Sequence, residues 1–355
     1  MALEKQIPKK DTPTKKERRS WHDLFRDVVG ADRCCSCGAC AGFCPKDVIK
    51  VSGSPASAIN LSACIPCNIC TTVCPRYPEE FESDIKPKGT HWDELIGGYL
   101  RLYKGRSLLK VENGQDSGSI TAILAAALEA GEIDGAIVVG RDENWKAIPK
   151  IATNIEELIN AAGSKYTSSS SVELLKKAAS SGEFKALAHV GVPCQADAVR
   201  KLLNSKYKNI AKNIKFSIGL FCSEVFLESL LTDKIEKEMK VPLTSIKKVD
   251  FKGKLLIHAH ETYELAIEEI KEHVLPGCYV CTDFAGEYAD LGAGAVGVRS
   301  GWTNLIPRTE ISLKFLNIAK EAGYIELEEV SEKALRIPKV LTEHKRKRVQ
   351  TRFTV

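Results

Sequence analysis

From about residue 100 onward, short apolar runs alternate with stretches whose apolar residues recur at helical spacing. Continuous apolar runs of about five residues are typical of buried strands, whereas a period near 3.6 indicates helices. This alternation predicts an α/β domain with a mixed, largely parallel sheet. Strand signals at 247–251 and 254–260 suggest an added antiparallel edge. The pattern predicts strands at 135–139, 186–190 and 216–220, and helices at 117–130, near Ile155 and Val172, at 195–203 and from Glu224.

The chain has no run of about 18 apolar residues, so no membrane-spanning helix is predicted. The amino-terminal region is rich in lysine and has no apolar core, unlike a secretory signal. We therefore expect a cytoplasmic protein that reaches a membrane only through a partner complex. The net charge of +5 is concentrated at both ends, and no aromatic residues interleave with the basic ones. Solvated tails explain this charge better than nucleic-acid binding does.

Cysteine is the most informative residue type, because thirteen thiols in a cytoplasmic chain favour metal binding over disulfides. Eight of them form two copies of the spacing Cys-x2-Cys-x2-Cys-x3-Cys-Pro, at 34–45 and 64–75. In such a repeat, three thiolates of one loop bind one [4Fe–4S] cluster and the fourth reaches the other cluster. The spacing thus predicts a bacterial-type dicluster ferredoxin module. Its two ligand sets are Cys34, Cys37, Cys40 and Cys74, and Cys64, Cys67, Cys70 and Cys44.

A zinc ribbon is the alternative for this repeat. Two adjacent zinc sites with a doubled spacing of this kind are a poor match to known zinc ligand patterns. Cys35 fits neither copy of the motif and is interpreted as a bystander.

Upstream of the repeat, apolar residues at helical spacing predict a short amphipathic helix from Ser20 to Gly30. Ser20 is a suitable cap and Asp23 suits the first turn. We expect this helix to pack on its own ferredoxin module; docking to another protein of a complex is the alternative. The resulting domain division is a basic arm and helix at 1–30, the ferredoxin module at 31–80, a linker at 81–105, the α/β domain at 106–335 and a basic tail at 336–355.

Four further cysteines lie in the α/β domain. Cys194 and Cys222 each follow a predicted strand and open onto a predicted helix, at the sheet edge where α/β proteins place their sites. Cys278 and Cys281 form a Cys-x2-Cys pair. Together they make a four-thiolate set that could hold a third [4Fe–4S] cluster or structural zinc, and the spacing does not decide between the two.

Segments of the α/β domain resemble the flavin-binding β subunit of archaeal F420-reducing hydrogenases and its relatives. The resemblance covers about residues 108–330 and holds for the order of the motifs as well as their content. A ferredoxin module fused in front is similar to the dehydrogenase branch of this family. The segments that carry the resemblance are 115–121, 162–167, 192–195, 219–222, 277–283 and 288–297, with Gly301 and Trp302 following.

The resemblance implies FAD and coenzyme F420 as ligands. It also implies an oxidoreductase of methanogens and related archaea that oxidises reduced F420 by hydride transfer to FAD. Single electrons would pass through three [4Fe–4S] clusters to the other subunits of a membrane-bound complex, with methanophenazine or a quinone as final acceptor, or to soluble ferredoxin. The protein would then lie on the cytoplasmic face of the membrane, held there by that complex.

Candidate ligand-binding residues follow from the resemblance motif by motif, and no catalytic side chain is assigned. Cys194, Cys222, Cys278 and Cys281 would hold the cluster next to FAD. No residue after Thr167 is assigned from the resemblance, because the end of the lysine motif is replaced here by the serine run 168–171. The implied flavin-site residues are Asp116, Ser117, Gly118, Ser119, Thr121, Lys165, Tyr166, Thr167, Asp290 and Gly294.

Two other functions remain open on the sequence. The first is an iron–sulfur electron-carrier subunit with no substrate of its own, which bound flavin would exclude. The second is a ferredoxin-linked reductase of another substrate, such as sulfite or a tetrapyrrole side chain. No further cofactor module follows residue 330 to favour the second.

Overall fold

The structure is a computed structural model that describes residues 18–78, 86–112 and 114–353. Residues 1–17, which make up most of the predicted basic arm, lie outside the described residues. So do residues 79–85, the end of the predicted ferredoxin module and the start of the predicted linker. Within the described ranges, no helix combines the length and the apolar character needed to cross a bilayer.

The described chain begins with the predicted amphipathic helix. Helix α1 (Trp21–Leu24) continues as a π-helical turn, Phe25–Val29. The Oγ of Ser20 accepts from the His22 amide at 3.2 Å, and the Asp23 carboxylate accepts from the Ser20 amide at 2.8 Å. This reciprocal capping confirms the predicted start of the helix.

The apolar face of this helix packs on the cysteine-rich module that follows it. Trp21, Leu24 and Val28 are buried in one cluster with Val48 and Ile49 of the module. The helix therefore packs on its own module, as expected.

The two cysteine motifs fold alike. In each copy a residue with a left-handed backbone, Gly38 at φ 87° or Asn68 at φ 66°, starts a short helix that carries the third cysteine of the motif. Glycine and asparagine are the residues that adopt this conformation most readily. The elements of the module are α2 (Ala39–Gly42), the antiparallel strands β1 (Ile49–Lys50) and β2 (Ser57–Ala58), and α3 (Ile69–Val73).

The larger domain is built on an eight-stranded mixed sheet with strand order β15-β5-β14-β13-β9-β8-β6-β7. The four neighbouring strands β13, β9, β8 and β6 pair in parallel, and antiparallel strands flank them on both sides. This confirms the predicted mixed α/β architecture. The strands of this sheet are β5 (Tyr103–Ser107), β6 (Gly135–Arg141), β7 (Ala147–Ala152), β8 (Leu187–Gly191), β9 (Ile214–Leu220), β13 (Leu291–Gly294), β14 (Thr303–Pro307) and β15 (Ile325–Glu329).

Helices pack against the sheet. One face carries α4 and α10, whose buried Leu124 and Phe315 share a core with Phe216 of β9, and the rings of Phe216 and Phe315 meet edge to face at 4.5 Å. The helices are α4 (Ser119–Glu129), α5 (Ile155–Ala161), α6 (Leu174–Ser181), α7 (Pro193–Leu203), α8 (Lys208–Ala211), α9 (Ile267–Ile270), α10 (Glu310–Glu321) and α11 (Arg336–Phe353).

The strand signals near residue 250 belong to a separate sheet and do not extend the main one, so that prediction is wrong. Strands β10 (Lys248–Phe251), β11 (Leu255–His258) and β12 (Thr262–Leu265) form an antiparallel three-stranded sheet. Their apolar side chains find partners in the preceding segment, where Phe226 and Leu230 share their buried cluster.

The helix predicted from Glu224 begins later. The Phe226 amide donates to the Tyr166 carbonyl at 2.8 Å and the Leu227 amide donates to the His273 carbonyl at 2.7 Å. These bonds hold the chain extended here, and the helical segment is a π-helix at Leu230–Glu238. Cys222 consequently does not open directly onto a helix.

The predicted linker at 81–105 contains regular structure. Strands β3 (His91–Asp93) and β4 (Gly97–Tyr99) form a hairpin, and β5 already belongs to the main sheet. The buried Arg308 guanidinium donates to the carbonyls of Ile96 at 2.7 Å and Gly98 at 2.6 Å. The larger domain therefore starts before residue 106.

The predicted basic tail at 336–355 is not a solvated tail over its described part. Residues 336–353 form α11, in which Thr342 is 0% exposed and Lys345 is 5% exposed. Local composition suggested a solvated segment because the partners of its basic side chains lie far away in the sequence.

The cysteine-rich module packs directly on the larger domain. Phe43 and Val73 of the module share a buried cluster with Leu175 of α6 and Leu202 of α7. Lys201 donates to the Cys74 carbonyl at 2.7 Å. The module is thus part of one continuous packed structure with the cysteine-bearing edge of the sheet.

Candidate redox site

A cavity of about 340 Å³ opens at the carboxyl ends of β6, β8 and β9. Ligand sites of α/β proteins are expected at this edge. Its walls are mainly apolar and include Ile120 and Leu124 of α4, Val139 of β6 and Leu220 of β9. An outer cavity of about 480 Å³ shares the segment 162–165 with it and carries the basic residues Arg141, Lys247 and Lys248.

The predicted lysine motif lies in the wall of this cavity, with Lys165, Tyr166 and Thr167 all lining it. The Lys165 ammonium donates to the carbonyls of Ala161, Ala162 and Gly163, the latter two at 2.9 and 2.7 Å, and so caps the end of α5. Burial, together with the charges of Arg141 and Lys150, lowers the pKa of Lys165 to about 7. The ammonium of Lys165 is therefore bonded to the backbone at the end of α5.

The predicted residues at the start of α4 do not line the cavity. The hydroxyl of Ser117 contacts those of Ser119 and Thr303, and Ser119 donates to the Gly105 carbonyl at 3.1 Å. These bonds tie the helix start to β5 and β14. Asp116, Gly118 and Thr121 likewise stay outside the cavity wall, and their neighbours Gln115 and Ile120 form it instead.

The last two predicted flavin residues also lie outside the cavity wall. The Asp290 carboxylate accepts from Ser217 Oγ at 2.7 Å and pairs with Arg200 at 2.9 Å. At Gly294 a Cβ would lie 2.4 Å from the Phe221 ring, so this glycine makes room for Phe221. Phe221 itself lines the cavity.

In the structure, the cysteines of the two motifs line two small cavities, grouped as in the two crossed sets of the sequence analysis. Burial raises the pKa of Cys70 to about 12 and that of Cys74 to about 11, so neither thiol ionises readily without a bound cation. One small cavity is lined by Cys34, Cys37, Cys40 and Cys74. A second is lined by Cys44, Cys64, Cys67 and Cys70.

The four cysteines of the larger domain also converge. Cys194 lies in the first turn of α7, behind Pro193, and is buried like Cys278 and Cys281. Cys222 interacts electrostatically with each of the other three. The Val225 amide donates to the Cys278 sulfur at 3.4 Å.

Two family models match most of the larger domain, and both are described as coenzyme F420 hydrogenase/dehydrogenase, beta subunit. The model of the amino-terminal part of that subunit matches residues 102–176, and the model of its carboxyl-terminal part matches residues 184–333. The chain belongs to this family. The four converging cysteines, and the residues that line the cavity apart from Cys35, lie within the matched residues.

Several relatives in this family extend the comparison. The chain is 30% identical to the F subunit of F420H2 dehydrogenase from Methanosarcina mazei, over 90% of this chain and 91% of that protein. It is 31% identical to the coenzyme F420-dependent sulfite reductase of Methanocaldococcus jannaschii, over 93% of this chain but only 53% of that protein. A chain of the F420-reducing [NiFe] hydrogenase complex from Methanosarcina barkeri superimposes with a TM-score of 0.69 and 30% identity, covering 74% of this chain and 93% of that one.

Cys35, interpreted from the sequence as a bystander, lies between the sites of this family member. Its thiol contacts the thiols of both Cys194 and Cys37. Cys35 also lines both the large cavity and the cavity of the first ferredoxin set. No spacing rule could have revealed this position, because it depends on how the module packs on the domain.

Gln115 lines the cavity but was not among the flavin-site residues that the resemblance implied. Its amide nitrogen donates to the buried Asp250 carboxylate at 2.6 Å, and His258 contacts the other carboxylate oxygen at 2.9 Å. Since a carboxylate only accepts, the amide orientation is fixed and Oε1 points away from Asp250. That Oε1 is buried without a hydrogen-bond partner. Gln115 lines both cavities, so it can offer an acceptor to a ligand N–H.

The carboxyl-terminal helix α11 also reaches the cysteine loops. Lys345 donates to the carbonyls of Cys222 at 2.7 Å and Asp283 at 2.8 Å. Arg348 donates to the Cys278 carbonyl at 3.0 Å. The helix therefore contacts two of the three segments that carry thiols of this set, namely those of Cys222 and of Cys278.

The donor sets fit iron–sulfur clusters in number and kind. Each set offers the four thiols that a cubane requires, all of them buried except the partly exposed Cys64, Cys67 and Cys222. Throughout the ranges that the structure describes, no three His, Cys, Asp or Glu side chains converge closely enough to hold a single metal ion. A cubane spreads its thiolates around four irons, so its fit depends on the enclosing set. The cavity, with apolar walls and one oriented acceptor, fits a flat heteroaromatic ring.

Proposed function

We propose that this chain oxidises reduced coenzyme F420 with FAD bound in the cavity, and passes single electrons through three [4Fe–4S] clusters to a partner complex. Membership of the coenzyme F420 hydrogenase/dehydrogenase family supports F420-linked oxidoreduction. A bound flavin supplies the conversion between a hydride and single electrons, which suits a deazaflavin on one side and clusters on the other.

The observation that carries the proposal is the unbroken contact from the cavity to the ferredoxin module. The cavity wall contains Cys35 and also Cys222, one of the four converging cysteines of the larger domain, which we call the four-thiol set. The Cys35 thiol contacts Cys194 of the same set and Cys37 of the first ferredoxin set. The four-thiol set thus adjoins both the cavity and the first ferredoxin set, as electron transfer from the cavity through this set to the module would require.

The cavity residues would share the binding of FAD. The apolar walls and the Gln115 acceptor suit the ring, while Tyr166 and Thr167 line the same space. The outer cavity is lined by Arg141, Lys247 and Lys248 together with the acidic residues Glu112, Asp142 and Glu143, and these three cations would bind the pyrophosphate. Together the two cavities offer room for both parts of a dinucleotide.

The second ferredoxin set would be the exit for electrons. Cys64 and Cys67 are partly exposed, unlike the buried thiols of the first set. Leu61 and Ile65 on the same loop are 49% and 45% exposed. We propose that the partners here are other subunits of a membrane-bound dehydrogenase complex, with methanophenazine, a quinone or ferredoxin as acceptor, on the cytoplasmic face.

The proposed domain division follows the packing. Residues 18–78 form the helix and the dicluster module, and the flavin and F420 domain extends from β3 through α11. This moves the start of the domain into the predicted linker and includes the predicted tail, because β5 lies in the main sheet and Lys345 binds the cysteine loops.

The proposal is tested on full-length protein purified without oxygen. We expect bound FAD, about twelve iron atoms per chain at four per cubane, and oxidation of reduced F420 with an artificial one-electron acceptor. Protein with clusters but no flavin would be an electron carrier, contrary to the proposal. About eight iron atoms with one zinc would contradict the third cluster. Reduction of sulfite by this chain alone would favour the other reductase function.

A further inference from the structure

Two buried cations face the four-thiol set of the larger domain, and they come from distant parts of the sequence. Lys345 of α11 is 5% exposed, and its ammonium donates to two backbone carbonyls. Arg76 follows the last cysteine motif of the ferredoxin module. The Nε and Nη2 atoms of Arg76 are buried without a hydrogen-bond partner.

Between them, the two cations interact electrostatically with every thiol of the set. Arg76 interacts electrostatically with Cys281, Cys35 and Cys194, in that order. Lys345 interacts with Cys281, Cys222 and Cys278. Positive charge from both the module and α11 thus acts on the set, and both cations interact with Cys281.

The carboxylates near this site do not neutralise the cations by direct pairing. The Asp283 carboxylate accepts from the amides of Gly286 and Glu287, each at 2.8 Å. Glu287 pairs with Lys86 at 2.6 Å and with Arg346 at 2.8 Å. Asp197 interacts electrostatically with Arg76, but its Oδ1 is without a hydrogen-bond partner.

A buried guanidinium with unused donors is costly unless an anion offsets its desolvation. Four thiolates around a cubane core carry a net negative charge, and one-electron reduction of the core adds one more. Fixed positive charge in a poorly polarisable interior stabilises the more negative state more strongly. The cations therefore favour the reduced form of a cluster at this site.

We propose that Arg76 and Lys345 are positioning residues that raise the reduction potential of the cluster held by Cys194, Cys222, Cys278 and Cys281. The inference rests on the proposed function, since it requires a cluster at this site. It assigns both residues to the acceptance of an electron from reduced flavin, because a higher potential makes the cluster a better acceptor. Through Arg76 the ferredoxin module itself contributes to the site in the larger domain.

The test is a redox titration of the full-length protein, purified without oxygen and followed by electron paramagnetic resonance. Arg76→Met and Lys345→Met should both shift the midpoint potential of the same cluster to a more negative value. In Lys345→Met the other two midpoints should stay within error, whereas Arg76→Met should also shift a second midpoint, because Arg76 interacts electrostatically with Cys74 of the first ferredoxin set. Arg76→Lys and Lys345→Arg retain the charge, so the midpoint potential in these variants should stay near the wild-type value. Lys347→Met, an exposed change on the same helix, is the matched control and should shift nothing.

Iron and zinc analysis of the same samples separates the possible failures. Zinc in the wild-type site would contradict the proposed function, and this inference with it. Twelve irons with unchanged midpoints in both Met variants would overturn the inference alone. Loss of four irons in both Met variants, but not in Arg76→Lys or Lys345→Arg, would support the inference, because it would show that the cluster needs the positive charge. Equal loss in the charge-retaining variants would show a packing role instead, and would overturn the inference.

Discussion

Substitution of Gly277 tests whether the cysteine loops of the two parts of the molecule touch. Gly277 directly precedes Cys278 and has no room for a side chain. A Cβ at this position would lie 2.3 Å from the Cys34 carbonyl oxygen, 2.5 Å from its carbon and 2.7 Å from the Arg33 oxygen. All three neighbours are backbone atoms, so no flexible side chain can swing away to relieve the contact.

The expected size of the effect follows from this geometry. Carbon–oxygen contacts between backbones are normally about 3.3 Å or longer, so Gly277→Ala must separate the two loops by about 1 Å. Overpacking of this kind costs about 1–3 kcal/mol. The separation also lengthens the path from the four-thiol set to the first ferredoxin set, because these loops carry Cys278 and Cys34.

The measurements are the thermal midpoint of the loaded protein and the rate at which the ferredoxin clusters become reduced. A loss of about 1 kcal/mol corresponds to about 2–4 °C in a domain of this size. Gly140→Ala is the matched control, since its Cβ would find the flexible Lys150 side chain as nearest neighbour at 3.3 Å. If Gly277→Ala behaved like Gly140→Ala in both measurements, the close backbone contact between the loops would be refuted.

Three further predictions concern single side chains. Cys35→Ser should leave the iron content unchanged, whereas Cys40→Ser should remove about four irons; equal loss in metal analysis would show a wrong ligand register. Gln115→Leu should weaken FAD binding about fivefold, since a buried hydrogen bond contributes about 1 kcal/mol, and an unchanged affinity in flavin titrations would exclude this acceptor. Lys165→Met should destabilise the protein by about 1–3 kcal/mol in denaturant unfolding, because three carbonyls at the end of α5 lose their donor; stability equal to wild type would contradict this cap.

The central strands could be predicted because their burial is visible in short segments. The run 135–139 is a continuous apolar stretch, and the structure extends it only to Gly135–Arg141. Parallel strands covered on both faces need such runs, whatever the rest of the chain does. The grouping of the motif cysteines around two small cavities could also be predicted, because their spacing alone limits which thiols can share a cavity.

Other features depend on contacts between distant segments and left no local signal. The extended backbone at Phe226 is held by Tyr166 and not by its own neighbours. Lys345 looks like part of a solvated basic run until α11 places it over the Cys222 carbonyl. Cys35 became part of the site only when the module was packed against Cys194. The resemblance implied Ser117 and Ser119 as flavin-site residues, but their hydroxyls bind β14 and β5.

Rapid mixing of the oxidised, fully loaded protein with reduced coenzyme F420, without oxygen, tests the central claim most directly. In wild-type protein, flavin absorbance should bleach first and the cluster signals should follow within the same turnover. In Cys281→Ser the flavin should still bleach, but the ferredoxin clusters should become reduced much more slowly, because the proposed path runs through the four-thiol set. Cluster reduction at the wild-type rate in Cys281→Ser, or no bleaching of flavin in the wild type, would contradict the account.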